Sequence, residues 1–94
     1  MKVRFNKRSL RKLDAIEAYI AKDSPASAVR VVATIAETAF RLGQFPMLGR
    51  AGRAEGRREL VVPDLPYINA YRVMDDVILI DSILHTSRNW TRRS

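Results

Sequence analysis

The chain has no cysteine and a single histidine, His85. Disulfides and thiolate metal sites are thereby excluded, and so is a histidine-rich metal centre. The N-terminal stretch MKVRFNKRSL has no apolar core of the kind a secretory leader carries. No segment approaches the run of about 20 apolar residues that spans a bilayer. A cytosolic protein without cofactor, metal or membrane partner is therefore expected. Acidic residues are also scarce: ten Asp and Glu face 17 Lys and Arg, a net charge of +7. That excess favours an acidic protein, a nucleic acid or an anionic surface as partner, and it is silent about fold. With 47% hydrophobic residues the chain carries enough apolar surface to fold, and 94 residues make one domain spanning 1–94.

The stretch from Arg57 to Trp90 reads as three short strands. Leu60, Val61 and Val62 form an apolar run stopped by Pro63-Asp64. Tyr67 to Val73 alternates, and Met74-Asp75-Asp76 makes a turn. Val77 to Leu84 is the strongest strand signal, six of its eight residues being aliphatic. Upstream, Val3-Arg4-Phe5 is a candidate edge strand. From Lys7, residues Leu10, Leu13, Ile16, Tyr19 and Ile20 recur at helical spacing and predict an amphipathic helix of about four turns. Ser24-Pro25 starts a second helix, running to about Leu42, whose stripe is Val29, Val32, Ile35, Ala36, Ala39 and Phe40. The short link between the helices predicts an antiparallel hairpin. Gln44 to Gly56 reads as loop and Thr86 to Ser94 as tail. The expected fold is α+β, a helical hairpin packed on a mainly antiparallel sheet, in the order β-α-α-β-β-β.

Several segments, in this order, resemble the RelE/ParE superfamily of type II toxin–antitoxin toxins: IEAYIAKDSPASA, FPMLGRAG, RREL, PYINAYRV and ILHTSRNW. The resemblance covers nearly the whole chain. It implies a growth-inhibiting toxin neutralised by a cognate acidic antitoxin, ParD-like or similar, in a hetero-oligomer. RelE-like members are ribosome-dependent mRNA endonucleases, whereas ParE-like members poison DNA gyrase. Cleaving RNA through its 2′-oxygen needs a base, an acid and cations for the developing phosphate charge. Aligned through the central strand, an arginine position of the nucleases falls on Ile68, and the basic pair of the preceding strand falls near Arg57 and Glu59. Isoleucine cannot stabilise a phosphorane. The ParE branch is therefore favoured, with gyrase as target and no catalytic set. The alternative is a ribosome-dependent mRNA interferase using Arg57, Arg72, His85 and Arg88.

For binding the antitoxin or the target, the candidates are Arg50, Arg53, Arg57, Arg58, Tyr67, Arg88, Trp90 and Arg92. Arginines set between glycines leave their planar forks accessible. An exposed tryptophan beside arginines makes a binding anchor. The bland readings compete: the loop arginines as a solvated cluster, Tyr67 and Tyr71 as partial core with the hydroxyl at the rim, and His85 as a strand-end packing residue. Arg72 is expected to pair with Asp81 or Glu59 across the sheet. A general nucleic-acid-binding module ranks last, because the cations read as scattered over helix, loop and tail.

Overall fold

A computed structural model of the chain describes residues 1–86. It contains β1 (Lys2–Phe5), α1 (Lys7–Ala21), α2 (Pro25–Phe40), a 3-10 turn (Arg41–Gly43), β2 (Arg50–Ala51), β3 (Arg58–Val61), β4 (Tyr67–Val73) and β5 (Val77–His85). The strands make one five-stranded sheet in the order β1-β5-β4-β3-β2. Only β1 and β5 run parallel; the other neighbours are antiparallel. The α+β class and the helical hairpin agree with the sequence. The segment read wholly as loop adds one short strand, β2, pairing Arg50 with Glu59 and Ala51 with Arg58.

Local chemistry explains where the helices begin. The Asn6 side chain accepts the Ser9 backbone N–H at 2.9 Å, capping α1. The Ser9 hydroxyl, fully buried, lies 3.0 Å from the Ile80 carbonyl of β5 and ties the helix start to the sheet. Ser24 caps α2 by accepting from Ser27, and Pro25 fills the first helical position.

The buried line of α1 is Ser9, Leu13 and Ile16, so Leu10 and Tyr19 of the expected stripe fall outside it. On α2 the small residues Ala28 and Ala39 are buried with Ile35, while Val29 and Phe40 stand exposed. Phe40 stacks edge-on against Phe5, with ring centroids 5.9 Å apart. Leu13, Ile16, Ile35, Val62 and Ile83 form one core cluster. Ala39, Leu42, Tyr71, Ile78 and Ile80 form the other, and Phe5 packs against both.

One irregularity sets which face each end of β5 presents. Ala70 pairs with Ser82 and Tyr71 with Ile80, so Asp81 is the extra residue of a β-bulge in β5. Without it, strict alternation would put Ile78, Ile80, Ser82 and Leu84 on one face. The bulge switches the parity, so Ile83 joins Ile78 and Ile80 beneath the helices. Asp81 is left on the opposite face, which no helix covers.

Candidate functional site

The face of the sheet away from the helices is organised by Asp81. Arg57 donates to its Oδ1 from Nε at 3.3 Å and from Nη2 at 3.0 Å. Arg72 reaches Oδ2 from Nε at 3.3 Å. One nearly buried carboxylate thus engages two guanidinium groups and leaves one net positive charge. Arg72 also donates from Nη1 to the Glu55 carbonyl at 3.3 Å. Beside this triad, Arg50 approaches Glu59 at 3.7 Å, a loose pair because Arg50 is largely in solvent. Ile68 lies on the same face between Val61 of β3 and Leu84 of β5 and is only 3% exposed. The position where a nuclease would carry a cation is an apolar lane.

The loop before β3 is pinned from within. The Tyr71 hydroxyl donates to the Pro46 carbonyl at 2.8 Å and accepts the Gly49 N–H at 3.0 Å. Tyr71 is fully buried, which corrects the expectation of a rim hydroxyl: the loop folds over and satisfies it. Arg58 donates to the carbonyls of Gly49 and Met47. Gly49 has no room for a side chain, since an added Cβ would sit 2.6 Å from the Glu59 carbonyl oxygen and 2.8 Å from the Tyr71 hydroxyl. Beside the loop is a hollow of about 320 Å³, lined by Met47, Ala51, Gly56, Arg57, Arg58 and Val73. Arg53 stands exposed at its loop turn.

Tyr67 and His85 are direct partners across β4 and β5, with ring centroids 5.4 Å apart and planes at 86°. They lie on the helix side, where Tyr67 packs against the first core cluster. Burial, and secondarily the neighbouring Tyr19, pushes the Tyr67 phenol above its ordinary value of 10.0. Of the alternative catalytic set, Arg57 and Arg72 therefore meet on Asp81, while His85 is on the other face of the sheet. Arg88 lies outside the described residues, as do Trp90 and Arg92 of the binding set. Of the remaining binding candidates, Arg57 and Arg58 line one hollow, Arg50 and Arg53 flank it, and Tyr67 stands apart across the sheet.

Sequence reasoning found Asp81 as a partner of Arg72 but missed its second arginine and its bulge. The signal was present: a lone acid inside the aliphatic run VILIDSIL demands a compensating cation. Tyr19 is 72% exposed and Val29 60%, near the turn that joins the two helices, while Ile16 is buried. A second hollow, of about 360 Å³, separates α2 from the β3–β4 turn and is lined by Arg30, Val31, Asp64 and Leu65 among others. Asp64 has a φ of 63° there, a conformation Asp tolerates better than most side chains. Among the described residues no helix is long and apolar enough to cross a membrane, and no group of three potential ligands gathers for a metal.

Known proteins place this geometry. The model of the ParE toxin of type II toxin–antitoxin systems, parDE, matches residues 3–90. Y4kP of Sinorhizobium fredii, a protein whose name marks it as an inferred toxin, is 44% identical over 89 residues, covering 95% of this chain and 92% of the relative. A chain of the chromosomal ParDE toxin–antitoxin system from P. aeruginosa superposes with a TM-score of 0.82 at 27% identity, covering 90% of this chain and 95% of that one. A match over nearly the whole chain, in sequence and in fold, means that this protein belongs to the ParE toxin family of type II toxin–antitoxin systems.

Proposed function

We propose that the protein arrests growth in the cytoplasm by gripping DNA gyrase, without chemistry of its own, and that a cognate acidic antitoxin of the ParD type neutralises it in a hetero-oligomer. The observation that carries this reading is the dispersal of the groups a ribonuclease needs. Arg57 and Arg72 are engaged by Asp81, Ile68 fills the central position, and His85 faces the other way. Among the described residues no base, acid and free cations converge on one phosphate-sized space. Surface binding asks for none of them. The exposed Tyr19 and Val29 near the hairpin turn, with a net charge of +7, suit an acidic amphipathic antitoxin segment. The loop arginines Arg50, Arg53, Arg57 and Arg58, together with Tyr67, Arg88, Trp90 and Arg92, are the residues proposed to contact antitoxin or target.

The test compares two targets. Induced without an antitoxin, the protein arrests growth, and purified protein inhibits supercoiling by gyrase while a cell-free translation extract keeps working. His85→Ala leaves toxicity intact. Codon-linked mRNA cleavage in the extract, abolished by His85→Ala in a folded variant, would replace this reading with the RelE-like interferase.

A further inference from the structure

The charge of this protein is not spread over it. Six of the 17 cations, Lys2, Arg4, Lys7, Arg8, Arg11 and Lys12, fall within the first twelve residues, where there is no acid. The other eleven are met by all ten acids, so this one segment carries nearly the whole net charge. The fold keeps it together at one edge. β1 is the outermost strand of the sheet, and α1 follows it after a single capping residue, Asn6. Lys2 and Arg4 alternate with the inward-packed Val3 and Phe5 and point to the face away from the helices. Lys7, Arg8, Arg11 and Lys12 are all exposed on α1, off its buried line. The cations therefore lie on both sides of the edge strand, Lys2 and Arg4 on the open face and the other four on the solvent side of α1.

Two features say that packing alone did not place them. Lys7 and Arg11, and Arg8 and Lys12, are like-charged pairs at a spacing of four, which weaken a helix. They also occupy its N-terminal half, where the positive end of the helix dipole favours acids, and the first turn has none. Among the described residues, none of the six is held by an ion pair. A helix needed only as a cover for the sheet would carry the opposite charges there.

We infer that this edge binds the phosphate backbone of duplex nucleic acid. Residues 1–12 are uniform in sign, and the bulky exposed apolar residues are Met1 and Leu10 within them and Phe40 beside Phe5. An acidic protein surface intersperses its carboxylates with apolar anchors, whereas here six cations outnumber the three exposed apolar side chains that such anchors could meet. A phosphate backbone is uniformly charged, and binding releases its counterions. The site is sequence-blind, since no side chain here is arranged to read base edges. It is independent of the gyrase reading.

Fluorescence anisotropy with a 20-bp DNA duplex and the purified full chain tests this, across a salt series. Six phosphate contacts give a slope of log affinity on log salt of about −5, or roughly a thousandfold loss between 50 and 200 mM. Arg8→Glu with Lys12→Glu lowers affinity at least about tenfold and reduces the slope by about 2. Lys22→Glu with Arg30→Glu removes the same charge elsewhere and changes affinity less than about threefold. Circular dichroism confirms that each variant is folded. Equal losses in the two double variants would reduce the effect to net charge and overturn the site. So would polyglutamate binding as tightly as DNA, which would assign the edge to an acidic protein segment.

Discussion

Replacing Asp81 with Asn strikes the one carboxylate on which the open face depends. The amide keeps the shape and one acceptor oxygen, but it loses the charge and turns an N–H₂ group toward an arginine. Arg57 donates twice to Asp81, at 3.3 and 3.0 Å, and its side chain is only 21% exposed. A charge-assisted hydrogen bond in that setting contributes about 1.5–3 kcal/mol. Arg72 is 40% exposed, so solvent screening holds its pair to about 0.5 kcal/mol. The retained acceptor recovers part of the first contribution, leaving a net loss of about 2 kcal/mol. For a domain of this size that lowers Tm by about 10 °C. The assay is urea unfolding followed by circular dichroism for the wild type, Asp81→Asn, Arg57→Met and the double variant. The double variant should be less destabilised than the sum of the singles by about 1 kcal/mol. A loss below about 0.5 kcal/mol for Asp81→Asn, or simple additivity, would refute the claim that these arginines are structurally engaged and would return them to the pool of free cations.

Tyr71→Phe removes the hydroxyl that holds Pro46 and Gly49, and should cost about 1–2 kcal/mol and speed proteolytic cutting within residues 44–56. Unchanged stability and cutting would mean that the loop is held by other contacts. Burial raises the Tyr67 phenol and makes stability depend on alkaline pH. Above pH 10 the unfolded tyrosine ionises first while the folded one keeps its proton, so the stability from Tyr67 is complete below pH 10 and is lost as pH rises further. Tyr67→Phe should flatten that alkaline decline in pH-dependent urea unfolding, and an identical decline in the variant would remove Tyr67 as its source.

Much of the fold was legible before any coordinates because its determinants are local. Capping by Asn6 was not anticipated, but Ser24-Pro25, the three- and four-residue spacing of Leu13, Ile16 and Ile35, and the β-branched run from Val77 each depend on a few neighbours in the chain. The strand limits moved by one or two residues, as the Arg58–Val61 strand did against the expected Leu60 to Val62. The site was legible in its parts only. The pairing of Arg72 with Asp81 followed from the cost of a buried charge, and the arginine-rich loop followed from composition. Which arginines are tethered did not follow, because Arg58 reaches the loop carbonyls and Arg57 reaches Asp81 while both stay partly exposed.

The amino-acid sequence by itself determined the two helices, the strands other than β2, the class of fold and the excess of positive charge, since periodicity, capping and composition act within a few residues of one another; the family followed from the resemblance of its segments. Only the tertiary structure decided the parity of β5, and with it the face on which Ile83 and His85 lie. One extra residue at the bulge inverts every side chain after it, and strand register is settled by partners far along the chain. The same long-range pairing, β1 laid parallel on β5, gathered cations that read as scattered into a single edge.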